Sequence, residues 1–212
     1  MQRLRLKFSR GEEIKYISHL NLMRLWERVM HRSGIPLAYS EGFSPHPKIS
    51  LAAPLPIGVT SEAELMDIIL QKSIASLFLL RTTRQQLPRG IDILEVQPIP
   101  LRFPSLQSQL RYAEYYVVVQ ASQSLEEMQA SVSSLLGAEH LPWQHMRDTG
   151  PRHYDLRALI EHLWVIGRQG SLFTLGMRLR CDSQGAGRPE QVTEILGLKY
   201  PESIHRTKLI LA

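Results

Sequence analysis

KYISHLNLMRLWERVMHRSGIPLAYSEGFSPHPKISLAAPLPIGVTS is the sequence from Lys15 to Ser61. Its pattern predicts a capped amphipathic helix, a short strand, a loop rich in proline and histidine, and a second strand. No other part of the chain combines as much regular structure with as much polar chemistry. We therefore interpret this stretch as a recognition surface.

The helix in this stretch has a clear beginning and end. Ser18 is a good N-cap, and Gly34 stands where a helix commonly ends in a left-handed residue. The apolar residues between them follow helical spacing and predict a buried face: Leu22, Leu25, Trp26, Val29 and Met30.

The opposite face of the same helix is basic and polar. It carries Asn21, Arg24, Arg28, His31 and Arg32. Such a stripe is compatible with a solvated surface and with a surface that contacts phosphates. The sequence leaves both interpretations open.

The residues after the helix form an irregular loop. Pro45 and Pro47 remove backbone donors and fix φ, so Ser40–Pro47 cannot be regular structure. Ser40, Gly42 and Lys48 are residue types found in phosphate loops, but the spacing matches neither the P-loop nor the dinucleotide-binding pattern. A shaped turn and an anion-binding loop both remain possible interpretations.

The elements around this stretch predict the fold of the first half. Alternation around Leu4–Phe8 predicts a strand, and further strands are predicted at 64–71 and 91–96. A helix is predicted from Ser73 to about Leu87. The order strand, helix, two strands, helix, strand matches a ferredoxin-like unit, which we assign to residues 1–100.

The second half predicts a similar order after a proline-rich boundary. Residues 101–111 are interpreted as a linker and residues 112–212 as a second unit. Within that unit, Ser124 and Glu127 form a capping-box pattern, and a hairpin is predicted around Gln169-Gly170. We therefore expect an α+β protein made of two tandem ferredoxin-like (β-α-β-β-α-β) units with antiparallel sheets.

Composition limits the classes of function. The chain has 43% apolar and 21% charged residues and a formal net charge of +5, values typical of a folded protein with an affinity for anions. Of its 25 basic residues only six are lysines, and arginine is the side chain best suited to phosphates and stacked bases.

The lone Cys181 excludes an internal disulfide and a cysteine-ligated cluster in this chain. We expect a cytoplasmic protein, because the N-terminus has no apolar signal segment and no apolar run is long enough for a membrane span. The spacing of His19, His46, Glu64 and Asp67 resembles no paired ligand motif, so we predict no metal site.

The sequence from Tyr16 to Glu64, YISHLNLMRLWERVMHRSGIPLAYSEGFSPHPKISLAAPLPIGVTSEAE, closely resembles the uncharacterised family of radical-SAM-linked proteins. The resemblance covers residues 1 to about 100 well and continues more thinly through 155–157, 187–189 and 204–206. Asn21 departs from it, since the family commonly has aspartate there. These proteins are typically encoded beside, or fused to, a radical S-adenosylmethionine enzyme. The resemblance implies that the iron–sulfur cluster and S-adenosylmethionine belong to that partner and that this chain has no cofactor of its own.

The candidate substrate-binding residues are the basic, hydroxyl and aromatic side chains of the organising stretch together with polar residues of the second half. They are Lys15, Tyr16, His19, Arg24, Arg28, Ser40, Phe43, His46, Lys48, Asp155, Arg157, Arg188 and Arg206. For the last four, an internal ion pair and a ligand contact are equally good interpretations.

Three functions fit these observations. The first is a non-catalytic accessory module that binds RNA or another anionic substrate and presents it to a radical S-adenosylmethionine enzyme. The second is a metal-independent ribonuclease in which His19 and His46 act as acid and base. The third is a protein-interaction subunit that binds no nucleic acid.

Overall fold

The chain folds into two compact units, Met1–Leu110 and Arg111–Ala212. The structure is a computed structural model that describes residues 1–147 and 150–212. Both units combine helices with β-strands, and the α+β class predicted from the sequence is confirmed.

The first unit begins with a strand and places two helices between its strands. Its elements are β1 (Gln2–Arg10), α1 (His19–Arg32), β2 (Ile49–Leu51), β3 (Thr60–Leu70), α2 (Ser76–Arg84), β4 (Ile91–Ile99) and the short α3 (Leu106–Gln109). The strands lie in the order β4, β1, β3, β2. The pairs β1–β3, β1–β4 and β2–β3 are all antiparallel.

Alternation along β1 separates the two faces of this sheet. Leu4, Leu6 and Phe8 have no exposed surface and lie in one apolar core with the buried face of α1. The rings of Phe8 and Trp26 meet edge to face, with centroids 4.9 Å apart. This contact fixes which side of α1 faces the sheet and therefore which side faces solvent.

The predicted beginning of α1 is confirmed. The Ser18 side chain accepts a hydrogen bond from the backbone N–H of Asn21, at 3.3 Å. Gly34 follows the helix with a φ of +66°, as a left-handed end requires. The expected strand at 37–39 is reduced to isolated bridges, Leu37 with Leu70 and Tyr39 with Pro47.

The other face of the sheet carries a buried ionic cluster. Asp67 is 3% exposed and accepts hydrogen bonds from Arg3 Nη2 at 2.6 Å and from Arg5 Nε at 2.8 Å. Arg3 also donates to the carbonyl oxygens of Phe103, at 2.6 Å, and Pro104, at 2.9 Å. The cluster thus joins β1 to β3 and to the chain that follows β4.

Residues 101–111, expected to be a linker, are folded against the first unit up to Leu110. Leu106 is fully buried, and the Gln107 side-chain amide donates to the carbonyl oxygen of Leu51. The proline-rich composition suggested a boundary between the units, but Arg3 and Gln109 donate to the carbonyl oxygens of residues 103–105 and hold the segment in place.

The second unit has the same alternation of strands and helices, with an extra hairpin. Its elements are β5 (Leu110–Gln120), α4 (Leu125–Gly137), β6 (Pro142–Arg147), β7 (Gly150–Asp155), β8 (Ile160–Gln169), β9 (Leu172–Asp182), β10 (Gly185–Ala186), α5 (Pro189–Ile195) and β11 (Ser203–Leu211). The strand order is β11, β5, β9, β8, and β10 pairs with the end of β9. The pairs β5–β9 and β8–β9 are antiparallel.

Two local predictions for this unit are confirmed. Ser124 and Glu127 form both hydrogen bonds of a capping box at the start of α4. The hairpin around Gln169-Gly170 joins β8 to β9, with Gly170 at a φ of +62°. The β6–β7 hairpin forms a separate two-stranded sheet and lies in the connection between α4 and β8.

Within the described part of the chain, each helix is too short or too polar to cross a membrane.

The buried ionic cluster gives the first prediction. Replacing Asp67 by asparagine leaves Arg3 and Arg5 without a charged partner, so we expect the free energy of unfolding to fall by about 3–5 kcal/mol. Asp92→Asn is the matched control, because Asp92 pairs with Arg84 across 3.1 Å at the surface. The control should cost less than about 1 kcal/mol. Urea unfolding of both variants measures the difference, and equal losses would contradict the structural role of the cluster.

Candidate functional site

The solvent-facing side of α1 presents a stripe that includes the candidate binding residues Arg24 and Arg28. Leu20, Arg24 and Arg28 recur every four residues and therefore lie on one line along the helix. All three are exposed. Among the described residues, no hydrogen bond or ion pair engages the guanidinium group of Arg24 or Arg28. Both groups are therefore available to a ligand.

The loop from Ser40 to Pro47 closes on itself. The backbone N–H of Ser40 donates to the carbonyl oxygen of His46 at 2.8 Å, and the N–H of His46 donates to Ser40 Oγ at 2.9 Å. Gly42, at a φ of +115°, allows the sharp turn between them. Ser40 thus holds the loop shut, and the fully exposed Phe43 side chain is presented at its tip.

The backbone of Lys48 connects this loop to the sheet through two hydrogen bonds. Its N–H donates to the carbonyl oxygen of Ala38 at 2.8 Å, and its carbonyl oxygen accepts from the N–H of Ile69 at 3.0 Å. The side chain is half-buried. The residue therefore anchors the base of the loop.

Lys15 and Tyr16 lie beside the beginning of α1. The ammonium of Lys15 is 2.7 Å from Glu12 Oε2 and 5.4 Å from the centre of the Tyr16 ring. The hydrogen bond to Glu12 raises the pKa of Lys15 above its ordinary value. The backbone of Gly58 donates to the carbonyl oxygen of Lys15 at 2.9 Å, and the exposed Tyr16 ring lies against Gly58. This contact brings the turn at 54–58 next to α1.

The acid–base role of His19 and His46 stays a prediction. His19 is the first residue of α1 and His46 belongs to the closed loop; both are exposed. Across residues 1–147 and 150–212, no hydrogen bond joins them. No group of three or more metal-ligating side chains was found in the same residues.

The second unit contains a cavity of about 400 Å³ at the base of the β6–β7 hairpin. Three arginines line it: Arg152 on β7, Arg180 on β9, and Arg188, which is the residue immediately before α5. His145, Tyr154, Asp155 and Gln191 also line it. The cavity therefore brings together Asp155 and Arg188, two of the candidate residues named from the sequence.

Hydrogen bonds on the cavity wall leave one buried group without a partner. The Gln191 amide nitrogen donates to the Tyr154 hydroxyl at 2.6 Å. The amide oxygen of Gln191 is buried and accepts no hydrogen bond from any described residue. Arg180 is held by Asp182, at 2.8 Å, and by Gln184, at 2.6 Å. A fixed cation and an unsatisfied acceptor thus line the same cavity.

Asp155 has a structural role that explains its position. Its carboxylate accepts hydrogen bonds from His140 Nδ1 at 2.8 Å and from the backbone N–H groups of Leu141, at 2.8 Å, and Arg157, at 2.9 Å. The hydrogen bond from His140, followed by those from the backbone, lowers the pKa of Asp155. The carboxylate therefore holds the base of the hairpin.

Arg157 is used in the same way. Its guanidinium donates to the carbonyl oxygen of Leu136, at the end of α4, and to that of Ile160, at the start of β8. Arg206, on β11, has no exposed surface. Of the four candidate residues in the second unit, only Arg188 combines an exposed side chain with a place in the cavity wall.

The model of one family, described as "Uncharacterized protein conserved in bacteria (DUF2344)", matches residues 3–189. The chain belongs to this family. No curated protein matches its sequence.

Solved structures share the fold of this DUF2344 member at low sequence identity. A chain from "Crystal Structure of a Cbf5-Nop10-Gar1 Complex" is 8% identical, with a TM-score of 0.56, and the match covers 97% of this chain and 48% of that one. A chain from "Structure of H/ACA RNP bound to a substrate RNA containing 2'-deoxyuridine" is 9% identical, with a TM-score of 0.51 and coverages of 97% and 47%. This protein thus spans about half the length of those chains, and the likeness concerns the fold.

The cavity contains residues of this DUF2344 protein that the sequence did not single out. Arg152, Arg180 and Gln191 are far apart in the chain, and no motif connects them. Arg180 did carry one signal, because it alternates with apolar residues along β9. That pattern indicates on which side of its sheet the side chain lies. It does not indicate which other elements meet the side chain there to form a cavity.

The Asp155 contacts predict a pH dependence. Because the folded pKa is below the ordinary value of 3.8, Asp155 stabilises the fold above that value, and this contribution is lost as the pH falls through the lower folded pKa. Asp155→Asn should therefore be less stable than the wild type at pH 6, and the gap should narrow in acid below 3.8. Urea unfolding from pH 6 to pH 2.5 measures the gap. A gap that stays constant in acid would contradict the assignment.

Proposed function

We propose that this protein is a non-catalytic RNA-binding module that presents RNA to a radical S-adenosylmethionine enzyme in the cytoplasm. The iron–sulfur cluster and S-adenosylmethionine would be held by the partner. The observation that carries the RNA part of the proposal is the exposed stripe of α1, in which Arg24 and Arg28 have no partner among the described residues.

Unpaired arginines on a rigid helix suit a phosphate backbone. The guanidinium donors fit phosphate oxygens in a forked geometry, and each phosphate neutralised releases counterions into solution. The buried side of α1 is fixed by Trp26 against Phe8, so the arginines stand at a constant spacing along one line. Arg32 extends the positive charge at the end of the helix.

Exposed aromatic rings supply a second kind of contact. Tyr16 and Phe43 are largely or fully exposed at the borders of the same stretch. Aromatic rings in such positions stack on unpaired bases, each worth about 1–3 kcal/mol in single-strand binding. A stacked base beside a phosphate-binding helix favours single-stranded RNA over a duplex.

The same proposal treats both units as ferredoxin-like. When the β6–β7 hairpin and the short β10 are set aside, the first and third strands of each unit are central neighbours, flanked by the fourth and the second, as in a split β-α-β arrangement. One structurally similar chain comes from a ribonucleoprotein bound to a substrate RNA. That likeness supports testing RNA before other anions.

The partner part rests on the family resemblance of residues 16–64 and on exposed apolar side chains in them. Leu20 and Ile57 are 58% and 61% exposed, and the contact between Tyr16 and Gly58 brings their segments together. Exposed apolar side chains that form a patch are typical of protein-binding surfaces, and we propose that Leu20 and Ile57 belong to one such patch. We assign the enzyme to this end of the stripe and RNA to the arginine end.

RNA binding is tested by electrophoretic mobility shift with total cellular RNA at 50 mM and 200 mM salt. Binding should weaken steeply with salt, because each phosphate contact contributes about 0.7 to the logarithmic slope for single strands. The double variant Arg24→Gln/Arg28→Gln should bind more weakly and lower that slope by about 1.4.

The matched control for this experiment is Lys72→Gln/Lys199→Gln. It removes the same charge from two exposed positions outside the stripe, so its binding should stay close to that of the wild type. Absence of a shift by the wild type at 50 mM salt would refute the RNA part of the proposal, and an equal loss in both double variants would refute the stripe as the binding surface.

The partner is tested by affinity purification of the tagged protein from its own cells, followed by mass spectrometry. We expect a radical S-adenosylmethionine protein among the retained proteins, and its loss with Leu20→Asp/Ile57→Asp because charges would be buried at the interface. Leu77→Asp/Phe78→Asp is the control, since those residues are 55% and 51% exposed on α2. Equal retention of the partner enzyme by both variants would refute this surface as its binding site.

A further inference from the structure

The cavity at the base of the β6–β7 hairpin is not part of the α1 stripe that we propose binds RNA. It lies entirely among residues 145–191 of the second unit. Its volume of about 400 Å³ lies within the range of small-molecule sites in proteins. From its lining we propose that it binds one phosphorylated nucleoside, a proposal that does not depend on RNA binding to α1.

Charge in the cavity favours an anion. Arg152, Arg180 and Arg188 line it together with the carboxylate of Asp155, and the charge of Arg180 is balanced by Asp182, 2.8 Å away. The Asp155 carboxylate already accepts hydrogen bonds from His140 and two backbone N–H groups, so it competes weakly for the arginines. Arg152 and Arg188 provide forked donors for a phosphate group, and Arg180, whose Nε and Nη2 donate to Asp182 and Gln184, adds a fixed guanidinium beside them.

The arginines differ in how firmly they are held. Arg180 is fixed by Asp182 and Gln184. Arg188 is exposed at its position before α5, and Arg152 lies across the Tyr154 ring at 5.8 Å. A fixed guanidinium can define where the phosphate sits, and the two more exposed ones can close on it.

The remaining lining residues suit an aromatic base. A phosphate alone would leave most of the cavity empty, whereas a nucleoside adds a flat ring and polar edges. Tyr154 and the Arg152 plane provide stacking surfaces for such a ring. Stacking on a tyrosine or arginine plane accepts any base, so size and charge select the ligand class.

Gln191 supplies the second, independent observation. Its side chain is 6% exposed and lines the cavity, and its amide oxygen accepts no hydrogen bond from the described residues. A buried acceptor without a donor is costly, and a ligand N–H or O–H group would satisfy it. The exocyclic amine or ring N–H of a base and the hydroxyls of a ribose are such donors.

The test is isothermal titration calorimetry of the full chain with uridine and adenosine 5′-monophosphates, the unphosphorylated nucleosides, inorganic phosphate and a 5′-phosphorylated triribonucleotide. We expect saturable binding of a phosphorylated nucleoside, with affinity at least about tenfold higher than for inorganic phosphate or a nucleoside alone, because charge and stacking then act together.

The variants separate the cavity from the stripe. Arg152→Gln and Arg188→Gln should each weaken binding about tenfold or more, and Lys199→Gln, which removes an exposed charge outside the cavity, should not. The stripe variant Arg24→Gln/Arg28→Gln should bind the mononucleotide like the wild type. Gln191→Leu removes the buried acceptor and should reduce the preference for nucleotide over phosphate, and thermal unfolding checks that each variant is folded.

The two possible sources of the ligand give different results. Binding of the monophosphates identifies a free nucleotide, and binding of the triribonucleotide alone, with the same loss in the Arg152 and Arg188 variants, identifies a nucleotide within RNA. Binding of none of the probes at millimolar concentration would overturn the proposal. It would also be overturned by equal affinity for inorganic phosphate, or by undiminished nucleotide binding in both arginine variants.

Discussion

The edge-to-face contact between Trp26 and Phe8 is the constraint on which the exposed surface of the first unit depends. It sets the rotation of α1 about its own axis, because the indole must enter the core that β1 and β3 form. Once that rotation is fixed, Arg24 and Arg28 must face solvent. The position of the basic stripe is thus a consequence of apolar packing on the other side of the same helix.

Arginine has two separate roles in this protein. Arg3, Arg5 and Arg157 donate hydrogen bonds to a buried carboxylate or to backbone carbonyl groups. These bonds join elements that are distant in sequence. Arg24, Arg28 and Arg188 keep exposed side chains. The +5 net charge alone does not distinguish these roles. Arg3, Arg5 and Arg157 contribute to that charge, but their guanidinium groups are not available to a ligand.

The sequence predicted those features that depend only on residues close together in the chain. The Ser18 cap, the capping box at Ser124 and the turn at Gly170 involve residues within a few positions of one another, and all three were predicted. The cavity was not, because residues from 145 to 191 meet in it only after the hairpin, β9 and α5 have packed. Asp155 was identified by its residue type, but its three hydrogen bonds show that the carboxylate organises the backbone.

The buried cluster around Asp67 also has a consequence for synthesis on the ribosome. Its bonds join Arg3 to Asp67, 64 residues away, and to Phe103, 100 residues away. Contacts of such long sequence separation form late, because the entropy of closing the loop must be lost first. A nascent chain that has not yet released residues 103–104 lacks the two carbonyl acceptors of Arg3, so the first unit can complete its fold only after residue 104 has emerged.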